Sequence, residues 1–62
     1  MEEVGAVELA DGGHLVVNLT AGGVQLQREP GDTAPINLDL HHTRWLRNLL
    51  DRAIEKASKE GL

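Results

Sequence analysis

The residues best suited to metal or acid–base chemistry are His14 and the adjacent pair His41-His42, with Asp39 three positions before His42. Imidazole and carboxylate together could ligate zinc. Adjacent histidines, however, point about 100° apart on a helix, whereas zinc-binding pairs are spaced by three or four so that both rings share a face. They read as polar groups near a helix N-terminus, where a cationic ring would oppose the helix dipole. No metal and no other cofactor is expected. Nucleophilic catalysis has little support either. Ser58 falls in a lysine-rich last turn, Thr20 and Thr33 fall at loops, and no base stands in a recognisable relation to any of them. The carboxylates are scattered, with no pair in an apolar setting that would raise one pKa. Gly12-Gly13 and Gly22-Gly23 do not open helices, so they are hairpin glycines and not phosphate cradles. A chain of 62 residues is also too small to enclose a substrate-sized pocket by itself. A site shared between two copies around Asp39, His41 and His42 is the one catalytic alternative. The expectation is a non-enzyme without catalytic residues.

The elements that position these residues follow from turn chemistry and periodicity. Asp11-Gly12-Gly13 and Ala21-Gly22-Gly23 supply hairpin turns, through the positive φ angles glycine tolerates. The segment from Pro30 to Pro35 reads as a longer loop, since proline cannot donate to a ladder. Strands are predicted over 4–10, 14–20, 24–29 and 36–40, with a helix over 41–60. The fold class is α+β: one domain, a four-stranded antiparallel meander followed by one C-terminal helix. Alternation puts Val7, Leu9, Leu15, Val17, Leu19, Val24, Leu26, Ile36, Leu38 and Leu40 on one face. Ala6, Glu8, His14, Val16, Asn18, Thr20, Gln25, Gln27, Asn37 and Asp39 occupy the other, so one face is covered and one is open. Asp39 and Thr43 are both competent helix caps, and Gly61 is a natural stop.

The helix carries more apolar surface than its own sheet can use. Trp45, Leu49, Ala53, Leu46, Ala57, Leu50 and Ile54 span an arc of about 180°, against the stripe of about 100° that a helix on a small sheet needs. A short chain without cysteine has no disulfide to supplement its core, which leaves self-association. A homodimer is therefore expected, with Trp45, Leu46, Leu49, Leu50, Ala53 and Ile54 divided between sheet and dimer interface.

Charge narrows the class of partner. Net charge is −4, distributed unevenly. Through Leu40, seven acids face the single base Arg28; from His41 onward, Arg44, Arg47, Arg52, Lys56 and Lys59 outnumber Asp51, Glu55 and Glu60. This differs from the broad basic surface that phosphate binding favours. No apolar run approaches the roughly 18 residues of a membrane span. The N-terminus begins Met1-Glu2-Glu3, unlike a basic signal-peptide start, so a cytoplasmic protein without membrane contact is expected. Asn18, Thr20, Gln25, Gln27 and Asn37 form an amide-rich patch able to hydrogen-bond bases or a partner's backbone, and the meander's edge strands could accept another chain.

The hairpin HLVVNLTAGGVQLQRE at 14–29 and the segment INLDLHHTRWLRNL at 36–49 resemble the central hairpin, last strand and helix tryptophan of the positive-cofactor-four family of transcriptional coactivators. The resemblance covers about two-thirds of the chain and rests on a Gly-bearing hairpin and one Trp. It implies dimerisation through the helices and single-stranded DNA binding across curved sheets. That family's DNA face is rich in Lys, Arg and aromatics, whereas Gln25, Gln27 and Arg28 stand on the corresponding strand in this chain. The leading expectation is a non-catalytic nucleic-acid-associated regulator, contacting its ligand through Arg28, Arg44, Arg47, Arg52, Asn18, Gln25 and Gln27. The alternative is a protein-interaction or assembly module that uses an edge strand or the acidic sheet half.

Overall fold

The computed structural model describes residues 1–61. Four strands, β1 (Glu2–Glu8), β2 (His14–Leu19), β3 (Gly23–Glu29) and β4 (Ile36–Asp39), precede one helix, α1 (Leu40–Lys59). The strands pair antiparallel in sequence order, which is the meander the turn signals predict. The α+β architecture is thus the expected one. No helix among the described residues is long and apolar enough to cross a membrane.

The boundaries shift where side chains intervene. β1 ends at Glu8 and not at Ala10, because the Asp11 carboxylate accepts the Gly13 N–H at 3.0 Å and widens the turn. Gly12 adopts φ +91° inside it, and Leu9 closes it by donating to the Gly13 carbonyl at 2.7 Å. Leu9 therefore sits in the loop, not on the apolar face of a strand. Near its start, β1 bulges between Glu3 and Gly5, with Val4 as the extra residue. The bulge moves Glu2 to the side of Leu19 and Glu3 to the side of Asn18.

The second hairpin corrects the expectation for its glycines. Neither Gly22 nor Gly23 has a positive φ. Gly23 is required by close approach instead: a Cβ there would lie 2.1 Å from the Leu38 carbonyl oxygen and 2.8 Å from the Asp39 Cα. The backbone of β4 can run beside β3 at this point only because position 23 has no side chain.

No loop separates β4 from α1. Asp39 ends the strand and caps the helix, its side chain accepting the His42 N–H at 2.8 Å. Leu40 consequently begins the helix and does not finish the strand. Thr43, the other candidate cap, lies inside the first turns and donates its hydroxyl to the Asp39 carbonyl at 2.6 Å. At the far end Gly61, at φ +73°, donates to the Ser58 carbonyl and stops the helix as expected.

The helix packs against β3 and β4 and leaves β1 and β2 uncovered. Among the described residues the single buried hydrophobic is Val16, 7% exposed, and no residue of α1 is buried. Val16 stands on the polar face, beside Ala6 on β1 and Gln27 on β3. The apolar face contributes Val17, Val24, Leu26 and Leu38, all only half-buried. The best-buried apolar side chain thus lies on the side of the sheet away from the helix, because the helix stands off the face it was expected to cover.

Candidate functional site

Two surfaces emerge, on opposite sides of the sheet. On the open face, Asn18, Gln25 and Asn37 are direct cross-strand neighbours on β2, β3 and β4. The Asn18 amide donates to Gln25 at 3.4 Å, and the Gln25 amide donates to Asn37 at 3.3 Å. An in-register row of three amides arises because strand partners on one face stand about 5 Å apart, within reach of short polar side chains. Gln27 is drawn aside, donating to the Thr33 carbonyl at 3.1 Å and pinning the loop before β4. That anchor was missed in the sequence, since nothing local pairs position 27 with position 33. The charged neighbours on this face are acidic. Glu3 lies opposite Asn18, and Glu8, His14 and Glu29 form a row at the other end. Asp39 follows Asn37 on the same side of β4.

The predicted nucleic-acid set is divided among several places. Arg28 pairs with Leu15 and so belongs to the face opposite Gln25 and Gln27. Its guanidinium is held by the Asp11 carboxylate in the first hairpin turn. The Gly13 N–H and then this arginine keep the Asp11 carboxyl below the usual carboxylate range. Arg44, Arg47 and Arg52 sit on α1, behind the sheet from the amide row. Arg47 and Arg52 are about 140° apart around the helix, with Asp51 and Glu55 on the intervening surface. No arginine shares a face with Asn18 and Gln25.

The second surface is apolar. Between α1 and the sheet lies a cleft of about 350 Å³ lined by Val17, Val24, Leu26, Leu38, Leu46 and Leu50, among others. Arg47 and Asp51 stand at its rim. Of the predicted interface residues, Leu46 is half-buried against the sheet, and Ala53 is exposed. Trp45, Leu49, Leu50 and Ile54 remain 58%, 48%, 54% and 64% exposed.

Asp39, His41, His42 and Trp45 cluster at the helix start. One Asp39 oxygen takes both the His42 backbone N–H and its ring Nδ1, each at 2.8 Å. These two contacts hold the Asp39 carboxyl below its ordinary range, the backbone donor being the larger cause. The His42 ring stacks on Trp45 at 6.1 Å, and His41 meets His42 edge-on at 5.3 Å. His14 lies at the opposite end of the sheet, roughly 16 Å along β2 from the end nearest Asp39. Among the described residues no three His, Cys, Asp or Glu side chains come together as a metal site. No family model, no curated protein and no solved structure matches this chain.

Proposed function

We propose that the protein is a cytoplasmic, non-catalytic interaction module that offers its open sheet face to a cationic segment of a protein partner. One observation carries the reading: the amide row Asn18–Gln25–Asn37 shares its face with Glu3, Glu8 and Glu29, and with no arginine or lysine. Amides offer donors and acceptors to an extended backbone, while the surrounding carboxylates attract lysine and arginine and repel phosphate. A nucleic acid on the same face would meet negative charge without counter-charge, and phosphate neutralisation is the dominant source of affinity for such ligands.

The second reading, a nucleic-acid-associated regulator, draws on the same row, because asparagine and glutamine suit base edges. Parallel titrations separate the two. A labelled lysine-rich peptide and a labelled single-stranded oligonucleotide of equal length are each titrated with the protein at low salt, and binding is followed by anisotropy. The expected result is peptide binding that weakens as salt is added and is lost in a Glu3→Lys, Glu29→Lys double variant. Tighter binding of the oligonucleotide than of the peptide would overturn the proposal in favour of nucleic acid.

A further inference from the structure

β1 is the free edge of the sheet. Among the described residues it packs on β2 alone, whereas β4, at the opposite edge, is four residues long and lies against α1. One side of β1 therefore presents backbone N–H and carbonyl groups with no strand beside them, and every residue of it except Gly5 is exposed. Such an edge is a template for another extended chain. The bulge at Val4 limits regular pairing to positions 5–8, so the ladder is short and side chains must carry the selectivity.

Those side chains specify an occupant. Glu3, Ala6 and Glu8 pair with Asn18, Val16 and His14 on the open face, whereas Gly5 and Val7 pair with Val17 and Leu15 on the apolar face. Strand partners share a face, so a strand added beside β1 sets alternate residues against the carboxylates and against Val7. Gly5 leaves a notch on the apolar side, since a Cβ there would meet nothing within 4 Å. A bulky apolar side chain opposite Gly5 can lean across it toward the half-buried Val17. A second copy of β1 is a poor occupant: it brings Glu2, Glu3 and Glu8, with no base, to an edge that carries the same three acids. Nucleic acid lacks the peptide groups that complete a ladder, and its phosphates would face the same carboxylates.

We propose that the partner's cationic segment binds as a fifth strand on β1, with lysine or arginine toward Glu3 and Glu8 and a bulky apolar residue over Gly5. This placement rests on the cationic partner proposed for the open face, and adds the edge that the segment joins and the order of its residues. The basic side chains then lie on the open face, where the amide row begins beside Glu3.

A labelled peptide alternating lysine with valine, its central valine replaced by phenylalanine, is titrated against the full chain at low salt and followed by anisotropy. Two further forms carry methyl groups on the backbone nitrogens of either the odd or the even residues. Alternate N–H groups of a strand point to opposite sides, so methylation in one register should weaken binding by about tenfold or more and in the other should spare it. Gly5→Val fills the notch without strain, because the space is open and the backbone there has no positive φ. Changing the peptide's phenylalanine to alanine should cost wild-type binding roughly tenfold, the worth of burying much of one aromatic side chain. In Gly5→Val that difference should shrink to about twofold. Peptide binding that neither backbone methylation nor Gly5→Val alters would overturn the fifth strand and leave the cationic partner standing. Failure of every cationic peptide to bind at low salt would overturn both. Displacement of the peptide by a single-stranded oligonucleotide, or loss of its binding as the chain pairs with itself along β1, would give the edge to another occupant and overturn the proposal.

Discussion

At the scale of single residues, Gly23 and Asp39 carry the junction from which the helix grows. Gly23 lets β4 pass without a clash, and any side chain there must displace the Leu38–Asp39 backbone. Gly23→Ala is therefore expected to destabilise the protein by about 2–3 kcal/mol, in the range of overpacked sites. Gly22→Ala, where a Cβ meets nothing within 4 Å, should be nearly silent. Comparing the two denaturation midpoints checks both, and equal midpoints would refute the close-approach account. Asp39 makes a second prediction. Its carboxyl is held below the ordinary value of 3.8 by the His42 N–H and ring, so its contribution is complete above that value. The contribution disappears as pH falls through the depressed folded-state value. Asp11, lowered by Gly13 and Arg28, behaves in the same sense. Acid titration followed by circular dichroism should show the wild-type protein losing helix below about pH 4. The Asp39→Ala variant should start less stable at neutral pH and show a shallower acid dependence.

At the scale of elements, α1 is the least supported part of the fold. It touches only β3 and β4, and no residue of it is buried. A helix of 20 residues gains little from propensity alone, since most helical stability comes from packing one apolar face. The paired Glu55 and Lys59, 3.2 Å apart and exposed, add a few tenths of a kcal/mol. Removing the half-buried Leu46 should therefore reduce helix content far more than removing the exposed pair. Far-ultraviolet circular dichroism of Leu46→Ala against Glu55→Ala measures this. Within the sheet, the corresponding anchor is Val16, flanked by Ala6 and Gln27. Val16→Ala is expected to cost about 1–2 kcal/mol in chemical denaturation.

At the scale of the whole molecule, a flat body of 37 × 30 × 17 Å with one buried apolar side chain among the described residues cannot hold much stability as a single chain. If two chains share the helix surface, as the width of its apolar arc predicts, folding and association are one equilibrium. The unfolding midpoint should then rise with protein concentration, each tenfold increase adding about 1.4 kcal/mol of apparent stability per dimer. Trp45, 58% exposed in one chain, should shift its fluorescence to shorter wavelength over the same range. A midpoint independent of concentration across two decades would mean that each chain stands alone. Electrostatics acts on the other side of the sheet. There Glu3, Glu8 and Glu29 make the open face acidic, which is the ground for the cationic partner proposed above.

Local chemistry was enough to read four strands and one helix in their order. Hairpin glycines, the proline-bounded loop, period-two alternation and a wide apolar arc are written in adjacent residues, and so was the surplus of apolar surface on the helix. What waited for the tertiary structure was every relation between residues far apart in the chain. The contact of Gly23 with Leu38, the hold of Gln27 on Thr33 and the burial of Val16 on the polar face depend on strand register and on where the helix comes to rest. The same holds for the division of the arginines from the amide row. The bulge at Val4 and the turn widened by Asp11 reset which residues face which way, and a helix standing off its sheet decided which side became the interior. Periodicity assigns a residue to a face, but only packing in three dimensions determines which face is covered and by what.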